Sequence, residues 1–155
     1  IVAVLAHEIG HYKKKHIVKG LLMSLAQTAV MVWLLSLALN VPDLSLALGA
    51  KESSFYLGII AFGLLFSPVE FFTGIVTNMI SRKYEYQADA FAKNHQFGTE
   101  LINALIKLSR NNLSNLTPHP AYVFFHYSHP TLLQRKTTIE KEEKGKILSG
   151  DRANG

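Results

Sequence analysis

Cysteine is absent from this sequence, which excludes a disulfide framework, a thiolate metal site and cysteine nucleophile chemistry together. Any metal must be held by histidine and carboxylate. Charge is also sparse: 17% of residues are Asp, Glu, Lys or Arg, and acidic residues are outnumbered 11 to 16. Nucleic-acid binding expects basic residues clustered on one face of a soluble module. Here the formal charge of +5 is concentrated near the ends of two long apolar runs, so no nucleic-acid partner is expected. The 155 residues, 48% of them apolar, amount to one domain with enough apolar content for a substantial core.

The first run, residues 17–39, carries one charge, Lys19, near its start. At 1.5 Å per residue it reaches roughly 35 Å, enough to cross a hydrocarbon layer of about 30 Å. The second run, 55–80, is also long enough and contains Ser67, Pro68 and Glu70. Both exceed the average soluble helix of about 11 to 12 residues, and neither has the position or length of a signal core. The pattern predicts two transmembrane helices and a lipid bilayer as partner. Lys13, Lys14, Lys15 and Lys19 flank the first run, and Arg82 and Lys83 follow the second, whereas the linker 40–54 is nearly balanced in charge. By the positive-inside rule the spans form a hairpin with both flanks facing the cytoplasm. The expectation is a multi-pass membrane protein with its active site on the cytoplasmic side.

Both flanks carry chemistry. His7-Glu8-Ile9-Gly10-His11 is an HExxH motif in a stretch without proline. On a helix, positions i and i+4 share a face, so the two imidazoles converge on one ion. Glu8 lies about 100° around the axis from His7, beside the ion without ligating it, as a base acting on bound water requires. Three fixed positions recur by chance in roughly 2% of chains this long, so the motif is specific without being decisive. A catalytic zinc commonly has three protein ligands and one open position, which leaves one ligand to find. Glu85 and Asp89 lie one turn apart just beyond the second run, on the flank shared with His7 and His11. Glu85 fits a third ligand, and Asp89 a carboxylate that accepts from a ligating histidine. The alternative is an ion pair of Glu85 with Arg82 or Lys83.

Three segments in order, VLAHEIGHY at 4–12, SRKYEYQADAFAK at 81–93 and HYSHPTLLQR at 126–135, resemble the type I CaaX prenyl protease family of membrane zinc metalloproteases. The likeness extends to 66–68 (FSP) and 104–108 (ALIKL). It implies one Zn2+ per chain held by His7, His11 and Glu85, with Glu8 as base and acid and Asp89 behind the ligands. It also implies that His129 approaches the substrate carbonyl and helps stabilise the oxyanion, and that Arg135 fixes that loop through a carboxylate. Family members have further membrane helices and an upstream substrate-binding segment. None precedes Ile1 here, so the chain is read as a C-terminal catalytic portion.

The expected fold class is all-α, a polytopic membrane fragment in which two transmembrane helices are flanked by active-site helices. The expected division is an HExxH helix at 1–16, spans at 17–39 and 55–80, a third-ligand helix at 81–95, a helix and His-Pro motif at 96–139, and a tail at 140–155 that frays. Leu101, Ile102, Leu105, Ile106 and Leu108 recur at helical spacing and predict an amphipathic helix. His16 is expected at the membrane interface, and His95, His119 and His126 have no partner at metal spacing. Glu70, too costly facing lipid, is expected against protein or a water-filled space, beside a kink at Pro68.

Three functions stay open. The first is zinc-dependent endopeptidase action on a peptide or protein substrate, prenylated or membrane-associated. The second keeps the chemistry for quality control of membrane proteins. The third, of a different class, is a metal transporter or sensor, which needs no base at Glu8.

Overall fold

A computed structural model describes residues 1–150, with side chains described through Lys141. Every described element is α-helical: α1 (Val2–Lys13), α2 (His16–Leu39), α3 (Pro42–Leu46), α4 (Phe55–Asn94), α5 (Gly98–Asn111), α6 (Pro120–His126) and α7 (Leu132–Gly150). The chain divides into two compact units. One comprises 1–17 and the described residues from 75 onward, and the other comprises 18–74.

The 18–74 unit contains the apolar part of α2, α3, and the first half of α4. Gln27 donates to Thr73 Oγ1 at 3.4 Å, and Gly58 lies against the Leu39 side chain, so the two helices pair antiparallel. Val18, Leu21, Leu22, Leu25, Val30 and Trp33 are all exposed. α2 and α4 are each long and apolar enough to cross a membrane. A helix that is apolar all round needs an apolar surrounding. The linker holds the short helix α3, which begins with Pro42 at its first position, where a missing N–H costs nothing. Glu70 is exposed within this unit rather than packed against protein.

The other unit has its core where α1, α4, α5 and α7 meet: Ala3, Ala6, Ala92, Leu101, Ile102 and Ile139, with Phe97, Leu105 and Ile106 packed against it. The buried positions of α1 are Ala3, Ala6, His7 and Gly10, and those of α4 in this unit include Glu85, Ala88, Asp89 and Ala92. Both follow the i, i+3, i+4, i+7 stripe of a helix face. Alanine and glycine dominate both stripes, so the backbones approach closely. A Cβ on Gly10 would stand 3.0 Å from Ala88 Cα and 3.0 Å from Phe91 Cβ.

The helix bounds and buried faces follow the expected ones in part. The third-ligand segment runs out of the second span as part of one helix, α4, which also continues through Pro68; 81–95 contains neither glycine nor proline. α7 continues to Gly150, its Lys and Glu residues favouring helix; residues 151–155 of the expected tail lie outside the described residues. Leu108 is exposed, whereas Leu101 and Ile102 are buried.

Candidate metal centre

α1 presents His7 and His11 toward α4, which presents Glu85 and Asp89. His7 Nε2 and His11 Nε2 lie 3.2 Å apart. Glu85 closes the triangle, with Oε2 at 3.6 Å from His7 Nε2 and Oε1 at 3.4 Å from His11 Nε2. Tetrahedral bonds of about 2.0 to 2.1 Å set ligand atoms about 3.3 Å apart. These three edges therefore match a metal-ligand triangle, and among the described residues this is the group identified as able to hold an ion. The expected alternative for Glu85 is not observed: its carboxylate faces histidines and Arg135, while Arg82 points elsewhere.

Behind the triangle, His7 Nδ1 donates to Asp89 Oδ1 at 2.9 Å. Arg135 grips Asp89 with two hydrogen bonds, Nε to Oδ2 at 2.8 Å and Nη2 to Oδ1 at 2.6 Å, and its Nη1 reaches Glu85 Oε2 at 3.2 Å. Burial alone would raise the Asp89 pKa, but hydrogen bonds from His7 and Arg135 and the guanidinium charge outweigh it, so the carboxyl stays below its ordinary value. Burial holds His11 below the ordinary imidazole range, against the opposing charge of Glu85. Two carboxylates face one guanidinium, a formal excess of one negative charge that a divalent cation would offset.

His129 stands on the open side. It leaves the short turn after α6 and places Nε2 3.5 Å from Glu85 Oε1, with 65% of its side chain exposed. Its Nδ1 is 3.0 Å from Ser128 Oγ. Glu8 is exposed, and its charge acts on His11. A cleft of about 380 Å3 adjoins the site, with Leu105, Asn112, Tyr127, His129 and Arg135 on its walls.

Two contacts were not anticipated. His16 is buried at 4% exposure rather than interfacial; its Nδ1 lies 3.1 Å from His11 Nδ1 and its Nε2 2.9 Å from Gln87 Oε1. Arg82 donates through Nη1 to the carbonyls of Val123, Phe124 and Tyr127 at the end of α6, where a cation meets the negative end of the helix. Pro120 at the first position of α6, with His119 capping it, is the sequence signal for that short helix. His95 bonds the Phe91 carbonyl, and among the described residues His95, His119 and His126 stay outside the metal group.

The model of peptidase family M48 matches residues 1–143. The chain belongs to that family. It is 36% identical over 146 residues to a CAAX prenyl protease 1 homolog of Oryza sativa subsp. japonica, covering 94% of this chain and 34% of the relative. It is 36% identical over 155 residues to CAAX prenyl protease 1 of Saccharomyces cerevisiae, covering 90% and 34%. The crystal structure of S. mikatae Ste24p superposes with a TM-score of 0.80 at 36% identity, over 90% of this chain and 36% of that one. The chain thus spans about a third of the length of the curated relatives it matches. The resemblance drawn from the HExxH, YEYQAD and HP segments agrees with this placement within family M48.

Proposed function

We propose that this chain carries the catalytic zinc site of a membrane-embedded endopeptidase of the CaaX prenyl protease type. His7, His11 and Glu85 are the ligands and Glu8 is the general base. The observation that carries this reading is the triangle of 3.2, 3.4 and 3.6 Å, which fits the edges of a tetrahedral site. Bound zinc supplies a Lewis acid and brings the pKa of its water to about 7. Glu8 takes the proton of the attacking water and later delivers it to the leaving amine. His129, on the solvent side of Glu85, donates from Nε2 to the carbonyl oxygen as that atom becomes an oxyanion. Asp89 holds the proton of His7 on Nδ1, which leaves Nε2 free to ligate, and Arg135 from α7 holds both carboxylates of α4 in register. No covalent intermediate is involved.

The names of the relatives, CAAX prenyl proteases, support as substrate an extended C-terminal segment of a prenylated protein, cut near the bilayer against which the exposed apolar faces of α2 and α4 would lie. In the intact protein, Glu8→Gln is expected to keep its zinc and lower kcat by about 10² to 10⁴, the range for a general base. Unchanged cleavage would remove Glu8 from the mechanism. A transporter or sensor, in contrast, would keep its function in that variant. A prenylated peptide is expected to show a higher kcat/KM than its unprenylated counterpart; equal values would favour the quality-control substrate class.

A further inference from the structure

The two histidines of the metal triangle are supported differently. His7 rests on a buried carboxylate, Asp89, through Nδ1 at 2.9 Å. Among the described residues no carboxylate stands behind His11: its Nδ1 faces His16 Nδ1 at 3.1 Å, and His16 Nε2 faces Gln87 Oε1 at 2.9 Å. We propose that His16 and Gln87 form an uncharged hydrogen-bond relay that fixes the tautomer and ring plane of His11, making both positioning residues for the metal. The inference rests on the reading of His11 as a ligand and extends it.

The proton inventory of the relay is determined by the ligand atom. If His11 ligates through Nε2, its one N–H is on Nδ1 and must donate. His16 Nδ1 is then the acceptor, which puts the His16 proton on Nε2. That N–H needs an acceptor in turn, and the Gln87 carbonyl oxygen occupies the place. The opposite amide orientation would turn every bond around and leave a proton on His11 Nε2, the atom in the triangle. A glutamine therefore suffices to select the metal-competent tautomer without adding charge, whereas a ligating histidine more often leans on a carboxylate, carbonyl or water.

The backbone is shaped to make this contact. On a continuous helix His11 and His16, five residues apart, would lie about 140° apart on the axis and could not meet. α1 ends at Lys13, and Lys15 adopts φ +55°, so α2 starts anew at His16 with its ring turned back toward His11. The ring is clamped flat on Tyr84, centroids 4.2 Å apart and planes 8° from parallel. His16 is 4% exposed, although it follows three exposed lysines and begins an apolar run.

The test is a double-mutant cycle on zinc affinity in the intact protein, measured by competition with a chelator, with the melting temperature of the metal-free protein beside it. His16→Phe keeps the aromatic stack on Tyr84 but removes both nitrogens; Gln87→Met, at a half-buried position, keeps size without an acceptor. Each is expected to weaken zinc binding about 10 to 100-fold. The double variant should lose no more than His16→Phe alone, because Gln87 acts only through His16. Gln87→Glu, which can only accept, should retain affinity within a few-fold. The metal-free melting temperatures should stay near wild type. Wild-type affinity in His16→Phe and Gln87→Met, fully additive losses, or losses that track the metal-free melting temperature would overturn the relay. If the wild-type protein itself binds no zinc, or Glu85→Ala binds it undiminished, the metal centre fails instead.

Discussion

Asp89 is 1% exposed and serves two partners at once, accepting from His7 Nδ1 and from the Arg135 fork. Those roles separate by substitution. Asp89→Asn keeps an acceptor for His7 but loses the charge, and is expected to weaken zinc binding about 10 to 100-fold. Asp89→Ala should in addition destabilise the fold by about 3 to 5 kcal/mol, the range for removing one partner of a buried ion pair. Chelator competition and thermal unfolding on both variants check this, and equal stability of the two would contradict the assigned role of the Arg135 clamp. The grouping of His7 with His11 was legible in the sequence because a four-residue spacing fixes a helix face, and that of Glu85 with Asp89 because they repeat that spacing on the next flank. His16 was not. Its role depends on the backbone break at Lys15, which hydrophobic period does not encode, and on Gln87, an uncharged residue that no metal or charge pattern marks. The Arg82 contact was not foreseen for a related reason: spacing offered only the alternative pairing with Glu85, whereas the carbonyl cluster after α6 belongs to a segment 41 to 45 residues away.

At the scale of elements, the site depends on the close approach of α1 and α4. Gly10 lies between the two histidines on the buried stripe, and any Cβ there meets the backbone of Ala88 at 3.0 Å, a contact that no side-chain rotation relieves. Gly10→Ala is therefore expected to cost about 1 to 3 kcal/mol, as overpacking does, and to lower zinc affinity by moving His7 and His11 off Glu85. A variant with wild-type melting temperature and zinc affinity would show that the helices have room to spare. α1 was foreseeable from the proline-free stretch around HExxH, and α5 from its periodicity. α3 and α6 were not, because five and seven residues carry too little pattern; only the prolines at their first positions signal them. The second span and the ligand segment form a single 40-residue α4, in keeping with the absence of any breaker between 81 and 95, from which a helix continuous with the span is read.

For the whole molecule, the two helices long and apolar enough to cross a membrane and the charge around them motivate a proposed membrane topology. Lysines at 13–15 and 19 and Arg82 with Lys83 stand against a linker whose charges nearly cancel, and from the positive-inside rule we propose that the linker faces away from the cytoplasm. The exposed positions Ser53 and Asn111 allow a direct check in this cysteine-free background. Ser53→Cys should react with an impermeant thiol reagent from the non-cytoplasmic side and Asn111→Cys from the cytoplasmic side; reversed labelling would overturn the orientation. The apolar runs alone marked α2 and the first part of α4. The exposure of Glu70 was not evident, since a carboxylate in a span gives no direction by itself.

The central claim is that His7, His11 and Glu85 jointly hold one zinc ion. X-ray absorption at the zinc edge, on intact purified protein whose metal content is measured on the same sample, tests it most directly. The account predicts close to one zinc per chain, with nitrogen and oxygen neighbours at about 2.0 to 2.2 Å and no sulfur shell, and loss of that zinc in Glu85→Ala. Undiminished zinc with an unchanged absorption spectrum in Glu85→Ala would contradict it.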